Sequence, residues 1–307
     1  MTKTAAALVL SAALLGGACH TAPSTPDAGC VPGSRGKPSQ VVFGGDRPVT
    51  LSVPKAYDSS CPAPLVLVLH GYGASGLLEE SYLGLDGLVD GRGVLLAAPD
   101  GTKDSSGSAF WNPGTASCCN FFGSSVDDVA WLTGLIREIR GVYAVDPGRI
   151  YVVGHSNGGF MAHRLACVAS ADIAAIVSLA GTMDQTPAPC TLSAPVSVLQ
   201  VHGDADTTVL YDGGTAILGK SGPYASAPDS VRFWAGQDGC QLTQTQGAAF
   251  DLDSSLPGDE TVPTSFDGCP PGVDVSLWTI QGGSHIPTVG ARFPWLAWRW
   301  LDAHRRP

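Results

Sequence analysis

Ser156 sits in Gly154-His155-Ser156-Asn157-Gly158, directly after the β-branched run Ile150-Tyr151-Val152-Val153. A serine hydroxyl has a high pKa and attacks a carbonyl only when a base takes its proton. A Gly-x-Ser-x-Gly stretch between a strand and a helix meets the steric part of that need. Glycines on either side let the two backbones close on a sharp turn whose serine stands exposed. Ser156 is therefore the candidate nucleophile of an acyl transfer. Such chemistry also needs a base, an acid that holds the base in its tautomer, and two donors for the oxyanion.

The base is expected late in the chain, in the order serine, acid, histidine. His285 follows a strand end in Gln281-Gly282-Gly283-Ser284-His285-Ile286-Pro287 and is the candidate. The other histidines read differently. His163 points back along the helix after Ser156, His202 closes a strand where it would brace the next loop, and His304 is near the terminus. His155 adjoins the nucleophile, and neighbours on a tight turn do not face each other, so it is expected to shape the pocket rim as a substrate-binding residue. For the acid, Asp204 and Asp206 compete in His202-Gly203-Asp204-Ala205-Asp206-Thr207-Thr208. Residue chemistry alone leaves both open, since an Asp in this stretch also suits a turn cap. The expected oxyanion donors are the backbone N–H groups of Asn157 and of Tyr72, the latter in the Gly-rich loop His70-Gly71-Tyr72-Gly73.

The positioning elements follow a repeated pattern. Apolar runs end in polar or Gly-rich loops near positions 70, 100, 154, 181, 203 and 282. Leu65-Val66-Leu67-Val68-Leu69 is continuously apolar, as in a strand covered on both faces. The pattern predicts a mostly parallel central sheet flanked by helices, with its functional loops along one edge. A hairpin is expected over 40–53, and helices over 77–90, 126–139, 157–168, 229–238 and 293–304. Asp127 and Asp128 read as helix-start residues, where negative charge is favourable. Residues 101–125 form a long loop, and 241–272 read as irregular.

The chain has 307 residues, a charged fraction of 14% and a formal net charge of -10. No basic patch argues for nucleic-acid binding. The first nineteen residues read as an export signal: Lys3, the apolar run from Ala5 to Leu15, then Gly16-Gly17-Ala18-Cys19. Cys19 is a candidate lipidation site and the one expected route to a membrane, with ordinary cleavage near Ala18 as the alternative. Residues 20–38 read as a flexible tether and 39–307 as one catalytic domain, expected to be a monomer. Setting Cys19 aside leaves eight of the nine cysteines, an even set that suggests disulfides in an exported chain. Adjacent Cys118 and Cys119 are expected to bond to separate partners. No metal or organic cofactor is expected.

These residues, with Trp111-Asn112-Pro113-Gly114, Cys118-Cys119, Val126-Asp127-Asp128-Val129, Asp146-Pro147-Gly148-Arg149, Phe160-Met161 and the stretch from His202 to Gly214, resemble the secreted polyhydroxybutyrate-depolymerase-like esterases. That group overlaps the family-one carbohydrate esterases, which include feruloyl and acetylxylan esterases. The resemblance covers about residues 40 to 300. It implies an α/β-hydrolase fold, and a serine esterase acting on small or oligomeric esters derived from polyesters or polysaccharides. It assigns the acid to Asp206, places Trp111 in the substrate cleft, and implies a Cys240–Cys269 disulfide and another from Cys118 or Cys119 to Cys167. The family's Gly-Gly-Gly-His-aromatic-Pro context is altered here by Ser284 and Ile286, which implies a different pocket wall beside the base. A serine peptidase of similar fold and an idle exported binding protein are the alternative readings.

Overall fold

The computed structural model describes residues 42–186 and 190–306. The chain divides into Met1–Val31 and Pro32–Pro307, and every described residue belongs to the second unit. The expected signal, the tether, Cys19 and Cys30 lie outside the described residues.

The first half of the order is β1 (Val42–Phe43), β2 (Val49–Ser52), β3 (Ala63–Leu69), α1 (Gly76–Leu83), α2 (Gly87–Arg92), β4 (Leu95–Ala97), β5 (Thr102–Lys103), β6 (Ala109–Phe110) and α3 (Asp128–Val142). There follow β7 (Val145–His155), α4 (Asn157–Val168), β8 (Ala175–Leu179), β9 (Ser197–Gly203), α5 (Ala227–Asp238), β10 (Gln244–Gln246), β11 (Thr261–Phe266), β12 (Val275–Ile280) and α6 (Phe293–Ala303). Ten strands form one sheet in the order β1-β2-β4-β3-β7-β8-β9-β12-β11-β10. The pairs from β4 through β12 are parallel, and the two ends of the sheet are antiparallel. This is an α/β-hydrolase fold with helices on both faces.

Strand alternation decides which helix each side chain meets. Leu65, Leu67 and Leu69 pack with Leu132, Leu135, Ile136 and Ile139 of α3 and with Met161 and Leu165 of α4. Val66 and Val68 point the other way, to Leu88 of α2 and to Phe293, Trp298 and Leu301 of α6. Every residue of β3, β8 and β9 is buried. Full burial of each such large apolar side chain contributes about 1.5–3 kcal/mol. A one-residue slip would exchange the two faces, so the register is firmly set.

Several elements differ from the sequence reading for local reasons. The helix expected over 77–90 breaks at Gly84, whose φ of 65° ends α1 in a left-handed cap. Asp127 caps α3 by accepting from Ala130 N, whereas Asp128 is fully buried and does more than start a helix. Its carboxylate pairs with Arg47 at 2.6 Å and accepts from Asn112 N at 2.8 Å, which ties the 111–127 loop to the β1–β2 hairpin. The 241–272 stretch contains β10 and β11, which extend the sheet beyond β12. Its polar composition and Pro263 hide the strand. Proline is tolerated because Pro263 faces Gly247, just where the short outer strand ends.

The disulfides correct the sequence reading. Cys118 and Cys119 are bonded to each other, and Cys167 is bonded to Cys190, so neither Cys118 nor Cys119 reaches Cys167. Cys240–Cys269 forms as the resemblance implies. Cys61 is also disulfide-bonded. Among the described residues no helix is long and apolar enough to cross a membrane.

Asp238 is an isolated carboxyl in the last turn of α5, only 4% exposed. Its Oδ1 accepts from Val196 N at 3.1 Å, and Oδ2 has no partner among the described residues. Burial pushes its pKa up to about 7, against the pull of that one hydrogen bond. A carboxyl whose folded pKa is raised adds stability that is complete below its unfolded value and is lost as pH rises through the folded value. Asp238→Asn keeps the acceptor and removes the charge. It is expected to raise unfolding stability by about 1–4 kcal/mol near pH 9 and to change it little near pH ~3, below the unfolded carboxyl pKa, as read by urea unfolding with disulfides intact.

Candidate active site

β7 runs directly into Ser156, whose backbone has φ 53° and ψ −117°. A non-glycine residue there costs about 1–3 kcal/mol and persists only when its surroundings enforce it. Here they do. A Cβ on Gly154 would collide with the Gly158 carbonyl, and a Cβ on Gly158 with the Leu69 carbonyl at the end of β3. The turn is then pinned on both sides. Ser156 N donates to Leu179 O of β8 at 2.8 Å, and Phe160 N donates to Ser156 O at 3.0 Å. The serine hydroxyl thus stands at the carboxyl edge of the sheet, between the ends of β3 and β8 and at the start of α4.

His285 comes to this point from the loop after β12. Its Nε2 lies 3.0 Å from Ser156 Oγ, and its Nδ1 lies 2.7 Å from Asp206 Oδ2. Asp206 is 4% exposed, on the loop after β9. Its other oxygen accepts from Thr208 N at 2.7 Å and Val209 N at 3.0 Å. Burial alone would raise the Asp206 pKa. The hydrogen bonds from His202 and His285, the His285 charge and the Thr208 amide outweigh it and hold the carboxyl well below the usual carboxylate range. Asp204, the rival candidate, is exposed and accepts from Gly282 N at 2.6 Å. It ties the loop after β12 to the loop after β9 and is not paired with His285.

On the other flank, Gly71 packs against the serine turn. A Cβ there would stand 3.3 Å from His155 Nδ1 and 3.4 Å from Ser156 Cβ. Tyr72 follows it, and its hydroxyl donates to Asp104. His70 holds this loop from within: its Nε2 accepts from Gly101 N at 2.8 Å, so its Nδ1–H donates to Gly71 O at 2.7 Å. Asn157, the first residue of α4, is locked by a pair of bonds to the Trp111 backbone. Its Oδ1 accepts from Trp111 N at 2.7 Å and its Nδ2 donates to Trp111 O at 2.9 Å. The Tyr72 and Asn157 amides therefore lie on two braced segments flanking Ser156, and the helix start at Asn157 favours negative charge.

One expected substrate contact is corrected. Trp111 is fully buried between His70 and Trp131, with ring centroids 5.1 and 6.4 Å away, so it packs the core under the loop and does not line the cleft. His155 is 6% exposed, with its ring centroid 5.2 Å from that of His285. Its Nε2–H donates to His285 O at 3.0 Å, and its Nδ1 stands 3.6 Å from the buried Glu79 carboxylate. Burial opposes charge on His155, but Glu79 and the His285 carbonyl overcome it and lift its pKa above the ordinary imidazole value. Glu79 also accepts from Gly71 N at 3.2 Å. One buried pair thus ties the 70–73 loop to the backbone of His285. Sequence reasoning missed Glu79, which sits in an unremarkable helical stretch. A carboxylate in the buried phase of that helix is the signal that would have found it. The base loop is held further by Tyr82, whose hydroxyl donates to Pro287 O at 2.7 Å, and by Asp253, which accepts from Thr288 N at 3.1 Å.

Among the described residues no group of His, Cys, Asp and Glu is arranged to hold a metal ion. The arrangement suits acyl transfer: a hydroxyl on a strained turn, an imidazole within reach, and a buried carboxylate behind it.

Residues 64–216 match a family model described as alpha/beta hydrolase fold. The chain is 30% identical over 249 residues to feruloyl esterase B of Piromyces equi, across 80% of this chain and 43% of that enzyme's length. It is 30% identical over 243 residues to NocK of Nocardia uniformis subsp. tsuyamanensis, a protein provisionally designated an esterase, across 76% of this chain and 67% of that protein. Among solved structures, the acetyl xylan esterase from Aspergillus awamori matches with a TM-score of 0.58 at 15% identity, over 86% of this chain and 98% of that one. At that identity the likeness speaks for the fold. Feruloyl esterase B falls on the carbohydrate-esterase side of the sequence resemblance, not the polyester-depolymerase side. The chain belongs to the alpha/beta-hydrolase family and is related in sequence to feruloyl esterase B and NocK.

Proposed function

We propose that the chain is an exported serine carboxylic-ester hydrolase whose nucleophile is Ser156, whose base is His285 and whose acid is Asp206. The observation that carries this reading is the unbroken path from Ser156 Oγ through His285 to Asp206, at 3.0 and 2.7 Å. His285 Nε2 takes the hydroxyl proton as Oγ attacks the ester carbonyl. Asp206 keeps the remaining proton on Nδ1 and stabilises the imidazolium that forms. The backbone N–H groups of Tyr72 and Asn157 receive the oxyanion, and losing one such donor costs about 3 kcal/mol of transition-state stabilisation. Collapse passes the His285 proton to the leaving alcohol and leaves an acyl-enzyme. Water, activated by the same imidazole, then releases the acid and restores Ser156.

The substrate class we infer is an acyl ester on a polysaccharide-derived alcohol, acetyl or hydroxycinnamoyl. The named relatives support it. So does an apolar, aromatic cluster next to the oxyanion loop: Tyr72 and Phe121 have ring centroids 5.0 Å apart and pack on Cys118, Cys119, Phe160 and Tyr224. Export is supported by the disulfides in the catalytic domain expected at 39–307, since such bonds persist in oxidising compartments.

Ser156→Ala is expected to keep the fold and to lower hydrolysis of a short-chain p-nitrophenyl ester by about 10⁴-fold or more. Turnover near the wild-type rate would remove the assignment. In the same assay Asp206→Asn is expected to cost about 10³-fold or more in kcat, and Asp204→Asn less than about fivefold, because only Asp206 faces the imidazole. Initial rates on methyl ferulate, acetylated xylan and short hydroxybutyrate oligomers test the acyl group. The first two are expected to exceed the third, and the opposite ranking would move the enzyme to the polyester side.

A further inference from the structure

Behind Asp206 runs a buried line of polar side chains that the acyl-transfer steps do not use. The Trp234 indole N–H of α5 donates to His163 Nδ1 of α4 at 2.9 Å. His163 Nε2 lies 2.9 Å from Gln200 Oε1 of β9. Gln200 Nε2 lies 3.2 Å from His202 Nδ1, two residues along the same strand. His202 Nε2 lies 2.8 Å from Val209 O and 3.3 Å from Asp206 Oδ2. Trp234, Gln200 and His202 are fully buried and His163 is 2% exposed, so bulk solvent does not reach the line.

Hydrogen-bond chemistry gives this line one direction. An indole N–H can only donate and a carboxylate can only accept. His163 Nδ1 must therefore accept, which puts its single proton on Nε2. That proton goes to Gln200 Oε1, which turns the Gln200 NH₂ toward His202. His202 Nδ1 must then accept, and its proton sits on Nε2, facing Val209 O and Asp206. Reversing any member sets two donors or two acceptors against each other in a site closed to bulk solvent, at a cost comparable to a lost buried hydrogen bond. A protonated His163 would face the indole donor with a second donor. Burial already lowers its pKa to about 4.

We propose that Trp234, His163, Gln200 and His202 form a one-way positioning relay that holds an N–H of His202 on the acid loop, fixing both the Asp206 carboxylate and the Val209 carbonyl that closes the loop behind it. This rests on the reading of Asp206 as the acid of the site. The relay makes His202 a third source of donors to Asp206, beside His285 and the Thr208 and Val209 amides. Asp206 Oδ2 then faces His285 in a fixed plane, and the imidazole keeps its Nε2 on Ser156. None of the four residues touches the ester, so they are positioning residues.

The test reads tautomers first. Two-bond ¹⁵N–¹H spectra of the full-length, histidine-labelled protein are expected to show His163 and His202 both protonated on Nε2. A proton on Nδ1 of either residue overturns the relay. Gln200→Leu is expected to leave His202 in mixed tautomers and to lower kcat on a short-chain p-nitrophenyl ester about tenfold, with KM changed less than twofold, which is the size of one charge-assisted hydrogen bond. Wild-type kcat in a folded Gln200→Leu protein also overturns it. Trp234→Phe keeps the ring and removes only the first donor, and the same loss of His163 and His202 tautomer purity is expected there should Gln200→Leu fail to fold. A purely structural role would lower the unfolding midpoint of these variants and leave tautomers and kcat in place. The spectra need no substrate. A wrong tautomer therefore counts against the relay alone, whereas hydrolysis surviving in Ser156→Ala counts against the site reading alone.

Discussion

The close approach of three backbones at the end of β7 is the constraint on which the rest depends. β3 and β7 are parallel neighbours, with Leu69 opposite Gly154. α4 leaves β7 so steeply that Gly158 presses on the Leu69 carbonyl, and only a residue without Cβ fits. That contact forces Ser156 into its positive-φ conformation, and Leu179 O on β8 holds it there. The chain that leaves β3 at Leu69 is the 70–73 loop itself. The contact that creates the serine turn therefore also sets the loop carrying Gly71 and Tyr72 against it. A larger residue at 158 would move the serine and this loop together, so the two parts of the site cannot be tuned separately through that position.

Charge inside the molecule follows the number of donors. Asp206 and Asp238 are each 4% exposed. Asp206 receives two amides, His285 and His202, and is held ionised. Asp238 receives one amide and is pushed up to about 7. Burial favours the neutral acid at both sites; the surrounding N–H groups decide the outcome. Asp128 lies between them. It is fully buried with one amide and the Arg47 guanidinium, yet burial still leaves its pKa above the usual carboxylate value. An acid that must stay charged to orient an imidazole needs the denser set, and the loop after β9 is folded to supply it.

The sheet was legible because its strands are continuous apolar runs ending in glycine-rich loops, and burial on two faces requires such runs. Ser156, His285 and the pair Asp204 and Asp206 stood out for the same reason, at strand ends. Choosing Asp206 over Asp204 needed a family resemblance, since the two differ only in which way a short turn points. β11 was hidden because its residues are polar and one is proline, and its pairing depends on β12, which is close in sequence but has to be present first. Trp111 misled because the resemblance placed it in the cleft, whereas its ring fills the core and its backbone braces Asn157. His163, Gln200 and His202 are spread over two elements, so no local pattern joins them.

The molecule divides its tasks between sheet edge and loops. Under the proposed function, the groups that handle protons sit on the serine turn after β7 and on the loops after β9 and β12, which the parallel strands deliver to one edge of the sheet. The apolar cluster beside the Tyr72 loop is built from the 111–127 loop and from the segment after Asp206, where Val209, Ile217 and Tyr224 pack with Cys118 and Cys119. The Cys118 sulfur also lies 3.8 Å from Asn157 Nδ2, so the apolar cluster and the start of α4 are in direct contact. Lys220 reaches over Phe121 and Phe122, at 6.0 and 5.8 Å from the ring centroids, and brings a cation to the same cluster. Under the proposed function, changes of acyl preference are therefore most accessible through Phe121 and Phe122, the more exposed aromatic rings beside this cluster. Changes at Cys118 act on both tasks at once, because the residue that sets the edge of the cluster also borders the amide that opens α4.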